Sequence, residues 1–311
     1  MITLDPDLPV LDIAPELAPY HDEPAQLPSG APGKVGVLRM RFEQRDERTV
    51  LADLYRQAPL LVQRALYWDE AMPEMACVFM LTTSGGVLQG DRFRIDLALG
   101  EGARVHLTSQ SAMKIQEMDA NYASQLQDIT LADGAYLEYL PEQTIPYRHS
   151  RFITYTRVRL PETATMLYAE ILAPGRKYHR DGEIFQYDLF SSTLRAARPD
   201  GPDLFVEKFL VEPERFGVDR VGVMDQFHVF ANVVLLTAPD CANRVYAQTT
   251  PTWAEDVPLA AGVSRLPNDA GLIYKVLGTE TEPVRAKVRE FCALARQEAV
   301  GRPFAPAFSW R

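Results

Sequence analysis

The sequence lacks most of what would tie it to a membrane, a nucleic acid or a disulfide framework. No apolar run approaches the roughly 18 residues needed to span a bilayer. The opening MITLDPDLPVLDIAPEL has neither a basic start nor a compact apolar stretch, so a secretory signal is not expected and a cytoplasmic location is. Only Cys77, Cys241 and Cys292 are present, odd in number and far apart, which argues against disulfides and against a zinc knuckle; they read as reduced, half-buried thiols. A net charge of −10 with scattered basic residues would repel phosphate backbones, so no nucleic-acid partner is expected. Catalytic signatures are missing too. There is no GxSxG elbow, no HxH or HExxH among the five histidines, and no cysteine beside a histidine.

What is present is an ordinary globular composition over 311 residues, 47% hydrophobic and 24% charged. Residues 1–33 hold seven prolines among acidic side chains and read as a flexible arm, because such a stretch buries too little apolar surface to offset ordering. Order is expected from Lys34, giving a single mainly-β domain over 34–311. VGVLRMRFEQ alternates as a half-buried strand, LLVQRALY reads as strand after Pro59, and MACVFML as a strand buried on both faces.

From Asp91 a unit recurs: alternating strand, turn, second strand, breaker. Ala103, Ala135 and Ala164 mark equivalent points about 30 residues apart, a period expected of stacked repeats. No helix of about ten residues fits between these strands, so stacked sheets are favoured over β-α alternation. Further strands are expected at EIFQYDLF, LFVEKFLV and 226–237, and a hairpin turning at Pro267-Asn268-Asp269. Residues 239–262 fit either a loop or a helix. One helix is expected over Glu282–Val300, capped by Thr281 and ended by Gly301, before an aromatic tail, PFAPAFSWR, that packs back on the body.

Two features ask for a purpose. SGGVLQGD, with Gly85, Gly86 and Gly90, forms a bent loop that would set Asp91 at the mouth of a strand, but it lacks the GxxxxGK[ST] pattern and a following helix, so it is not a phosphate cradle. Glu138, Glu170 and Glu207 sit within apolar strands, where an unpartnered carboxylate is costly. Either each is paired structurally, or several converge on a hydrated internal path for a cation.

These residues also carry a resemblance. Gly85-Gly86-Val87, Gly90-Asp91, Gly102-Ala103, Ala112-x-Lys114, Gly134-Ala135-x-Leu137-Glu138-Tyr139-Leu140-Pro141-Glu142, and Glu170 followed by Gly175-Arg176 resemble the UreD (UreH) urease accessory proteins. The resemblance implies a stacked-sheet, β-helix-like scaffold with few helices, one near the C-terminus. It implies a non-enzymatic role in nickel insertion into urease, with urease apoprotein and the accessory proteins F and G as partners, G being the GTPase. No tightly bound cofactor is implied; Ni²⁺ is a transient cargo. Asp91, Glu170 and Glu207 fall where the family places acidic channel or surface positions and Glu138 matches its motif, so all four are expected along a transient nickel path; Gly85, Gly86, Gly90, Lys114 and Arg176 are expected in structural or partner-binding loops. Oxygen ligands suit a path that must release Ni²⁺. Two alternatives stay open: a β-rich enzyme using Asp91 or Glu138 as acid or base, and a UreD-like scaffold serving a different partner.

Overall fold

The computed structural model describes residues 14–20, 34–253 and 258–304. Two sheets lie face to face over a shared core. The seven-stranded sheet contains β1 (Val35–Arg45), β2 (Arg48–Gln57), β5 (Arg92–Leu99), β8 (Ala123–Leu131), β11 (Arg151–Arg159), β13 (Leu189–Ala197) and β14 (Asp203–Val211), in the order β14-β13-β11-β8-β5-β1-β2. The ten-stranded sheet runs β16 (Leu259–Arg265), β17 (Gly271–Gly278), β15 (Val229–Leu236), β12 (Thr165–Leu172), β9 (Tyr136–Tyr139), β6 (Arg104–Ser109), β4 (Ala76–Thr82) and β3 (Leu60–Leu61), with the short β7 (Met113–Ile115) and β10 (Thr144–Pro146) beside it.

Between β4 and β13 the chain alternates between the sheets, laying each strand parallel to the one a repeat earlier. That coil is the β-helix-like architecture, and its register matches the repeat in the sequence. Arg104 pairs with Tyr136 and Tyr136 with Thr165, so the preceding Ala103, Ala135 and Ala164 stack in one column, all buried. A short side chain there lets successive turns approach closely. The antiparallel β1–β2 and β15–β17–β16 sections finish the two sheets, the last through the expected turn at Pro267–Asp269.

Several expectations are corrected. EIFQYD is irregular, and the strand starts at Leu189: Glu183 is drawn into an ion pair with Arg176, and Phe185 takes a positive φ of 52° that no strand accommodates. LLVQRALY contributes only the two residues of β3 and an isolated bridge from Leu66 to Cys77. Residues 239–262 contain a helix, Pro239–Gln248, started by proline at its first position; with the four-residue Pro213–Phe216 counted first, it is α2. The C-terminal helix α3 runs Thr281–Val300, so its N-cap is Glu280 rather than Thr281, and no side chain caps it. Within the proline-rich lead, Pro15–Tyr20 forms a 3-10 turn against the body: Leu17 is fully buried on Tyr122, Ile153 and Leu189, and Glu16 meets Ser191 and Lys208. The rest of residues 1–33, and the tail beyond Phe304, lie outside the described residues. The three cysteines are free and buried rather than half-buried, and burial pushes the Cys77 thiol up to about 12.

Candidate functional site

Side chains alternate across each strand, so the face on which a carboxylate emerges decides its chemistry. The inner face, between the sheets, is apolar around Leu38, Phe42, Ile95 and Leu137. Toward β8, β11 and β13 that face turns polar. Gln125 and Gln127, Thr154 and Thr156, and Ser192 all point inward, opposite Tyr139, Tyr168 and Glu170 of the other sheet. Tyr139 donates to Gln127, the Gln127 amide donates to Thr156 Oγ1 at 2.8 Å, and Ser192 Oγ donates to Glu170 Oε1 at 2.8 Å. The Thr154 hydroxyl is buried yet has no hydrogen-bond partner among the described residues. Gln125, Gln127, Tyr139, Thr154, Tyr168 and Glu170 line a cavity of about 120 Å³ that also reaches Gly86, Val87, Ser109–Met113 and Glu142. The glycine loop therefore flanks one end of a polar inter-sheet cavity.

Glu170 is the carboxylate set among those hydroxyls and amides. Burial pushes it up to about 7, against hydrogen bonds from Ser192 and Tyr168, and the charge of Glu207 adds to the rise. Glu207, on edge strand β14, pairs with Lys275. Those two carboxylates are the pair that the fold brings near one another.

Glu138 emerges on the opposite face of the ten-stranded sheet, beneath α3. It is fully buried; His106 Nδ1 lies 2.7 Å from one oxygen, the Tyr136 hydroxyl donates to the other at 2.7 Å, and Arg296 Nη1 stands 3.5 Å away. Burial would raise this carboxyl, but His106, Arg296 and Tyr136 hold it below the usual range. Arg296 in turn meets Asp69 at 2.7 Å, both side chains 1% exposed.

Asp91 is buried beneath the glycine loop. Its oxygens accept the backbone N–H groups of Lys34 at 2.9 Å and Leu88 at 2.8 Å, so it ties the loop to β1. Burial raises its pKa in spite of those bonds. Gly86, at φ +148°, passes so close to the Lys114 carbonyl that an added Cβ would lie 2.6 Å from it. The Lys114 side chain itself is exposed. Gly85 and Gly90 also have positive φ, as the bent loop requires. Arg176 grips Glu183 through two nitrogens and stacks 4.0 Å from the Tyr147 ring centroid, ordering the loop after Gly175.

His106 and Arg296, the partners of Glu138, and the polar lining of the cavity are not among the residues that the sequence singles out. Polar residues at every second position of QLQDI and ITYTRV, on the face that elsewhere is apolar, were a usable signal for the lining. Among the described residues, no three His, Cys, Asp or Glu side chains are placed to hold a metal ion. No helix among them is long and apolar enough to cross a membrane.

A sequence model described as UreD urease accessory protein matches residues 34–311. The urease accessory protein UreD 2 of Brucella suis is 53% identical over 301 residues, covering 97% of this chain and 100% of its own. The urease accessory protein UreD of Yersinia pseudotuberculosis is 47% identical over 298 residues, 96% of this chain and 93% of its own. The chain belongs to the UreD family of urease accessory proteins, and its role lies in urease maturation.

Proposed function

We propose that this protein is a non-catalytic scaffold that holds urease apoprotein and the accessory proteins F and G in one assembly in the cytoplasm, and that Ni²⁺ passes as cargo along the cavity between its sheets. Glu170 is the carboxylate at which the ion pauses, and Glu207 lies next along the way. The observation that carries this reading is the setting of Glu170: a carboxylate among hydroxyls and amides, titrating near 7. A carboxylate that keeps its proton up to neutral pH binds a divalent cation only in competition with that proton, so the hold is weak and reversible. Asp91 and Glu138 do not touch the ion, since backbone N–H groups occupy the first and the second faces α3 on the other side of its sheet, within an ion-pair network. The same engagement argues against either as a free acid or base, which an enzyme would need.

Reconstitution tests the reading. Purified protein should associate with urease apoprotein and with the accessory F and G proteins, and Glu170→Ala with Glu207→Ala should reduce urease activation while leaving that assembly intact. Failure of the wild-type protein to associate with any of them removes the scaffold; loss of assembly in the double variant makes the carboxylates structural.

A further inference from the structure

The outer face of the seven-stranded sheet carries a second organised site. Strand register sets Arg39, Asp96, Asp128, Arg157 and Arg195 in one row across five strands. Asp96 is held by Arg39 at 3.0 Å and Arg94 at 2.5 Å, and Asp128 by Arg94 at 2.6 Å and by two nitrogens of Arg157. Both carboxylates are thereby occupied.

The neighbouring row, two residues along, reads Asp53, Arg41, Ala98, Thr130 and Arg159. Short side chains stand where the first row has its aspartates, so the surface dips between Arg41 and Arg159. A cleft of about 450 Å³ opens there, lined by five guanidinium groups and three carboxylates. The two arginines stand three strand spacings apart, about 14 Å, which admits one extended polypeptide. The Arg41 side chain is 51% exposed and pairs with Glu43; Arg159 is exposed, with no ion-pair partner among the described residues. An excess of guanidinium groups on a chain of net charge −10 is a local reversal of sign. Such a patch steers an acidic partner and fixes it through bidentate contacts, to which the planar guanidinium is suited.

We infer that this cleft docks an extended, carboxylate-rich polypeptide segment of a partner protein, whose side chains bridge Arg41 and Arg159. The inference rests on the scaffold reading for the identity of the partner, and on the cleft alone for its chemistry.

The test measures binding of the full chain separately to urease apoprotein, accessory protein F and accessory protein G, at low and high salt, with octaglutamate as direct ligand and competitor. Arg41→Gln with Arg159→Gln should weaken one of the three partners tenfold or more, reduce the salt dependence of that contact and abolish octaglutamate binding. Arg41→Lys with Arg159→Lys, which keeps the charge but loses the fork, should fall between. Thermal midpoints should stay with the wild type, because both positions are exposed. Unchanged binding of all three partners by the Gln variant would overturn the inference, as would preferential binding of duplex DNA over octaglutamate. If the wild type binds none of the three, the scaffold reading fails, and the octaglutamate arm alone decides on the cleft.

Discussion

Replacing Glu170 by glutamine isolates the cost of burying one carboxylate between the sheets. Its pKa in the folded protein is raised to about 7 from the usual 4.5. The folded state therefore binds a proton more tightly than the unfolded chain, so the associated stability is complete below about pH 4.5 and is lost as pH rises through 7. The gap corresponds to about 3 kcal/mol at pH 8. A glutamine amide cannot ionise and escapes that loss. The Glu170→Gln variant should gain on the wild type by about 2.5 kcal/mol between pH 5 and pH 8, the rest of the loss falling below pH 5. For a chain of 311 residues, unfolding entropy is roughly 0.65 kcal/mol per degree, so the midpoint difference should shift by about 4 °C in favour of the variant. Scanning calorimetry of both proteins at pH 5, 6, 7 and 8 reads it directly. A difference that is constant with pH, or that moves against the variant as pH rises, would refute the argument.

Arg296→Met should cost about 3–5 kcal/mol in chemical denaturation, because it leaves Glu138 and Asp69 buried without their cation; adding Asp69→Asn should recover part of the loss. Gly175→Ala should destabilise by at least about 2 kcal/mol, since its φ is +131° and the new Cβ would lie 2.4 Å from the Glu183 carbonyl, whereas Gly262→Ala, with open space around it, should be neutral by the same measurement. Leu17→Ala should weaken the docking of Pro15–Tyr20 by about 3 kcal/mol, read as faster hydrogen exchange at the Leu17 amide, which donates to the Ala14 carbonyl; exchange at the wild-type rate would mean that the turn is held by Glu16 instead.

The stacked architecture was legible because it rests on local signals: period-two alternation, glycine at the turns, and an alanine column that the register matches residue for residue. The separation of Glu138 from Glu170 was latent in the same column. Aligning Ala135 with Ala164 sets Glu138 beside Leu167, and Glu170 stands three residues further on. An odd offset places it on the other face, so the two carboxylates could not converge. What the sequence could not supply were the long-range partners. Arg296 reaches Glu138 from a helix 158 positions later, as nothing local requires. The 3-10 turn at Pro15–Tyr20 was hidden by its acidic, proline-rich surroundings, because its anchoring rests on Leu17, Glu16 and Tyr20 meeting residues far along the chain.

The nickel path is tested most directly by measuring the metal itself. Urease apoprotein is activated with wild-type or Glu170→Ala protein in the presence of the accessory F and G proteins, and the nickel bound per urease active site is determined after the complex is separated. With the variant, a full complement of complex should assemble while nickel loading stays well below that reached with the wild type. Wild-type loading by the variant, within a complex of unchanged composition, would contradict it.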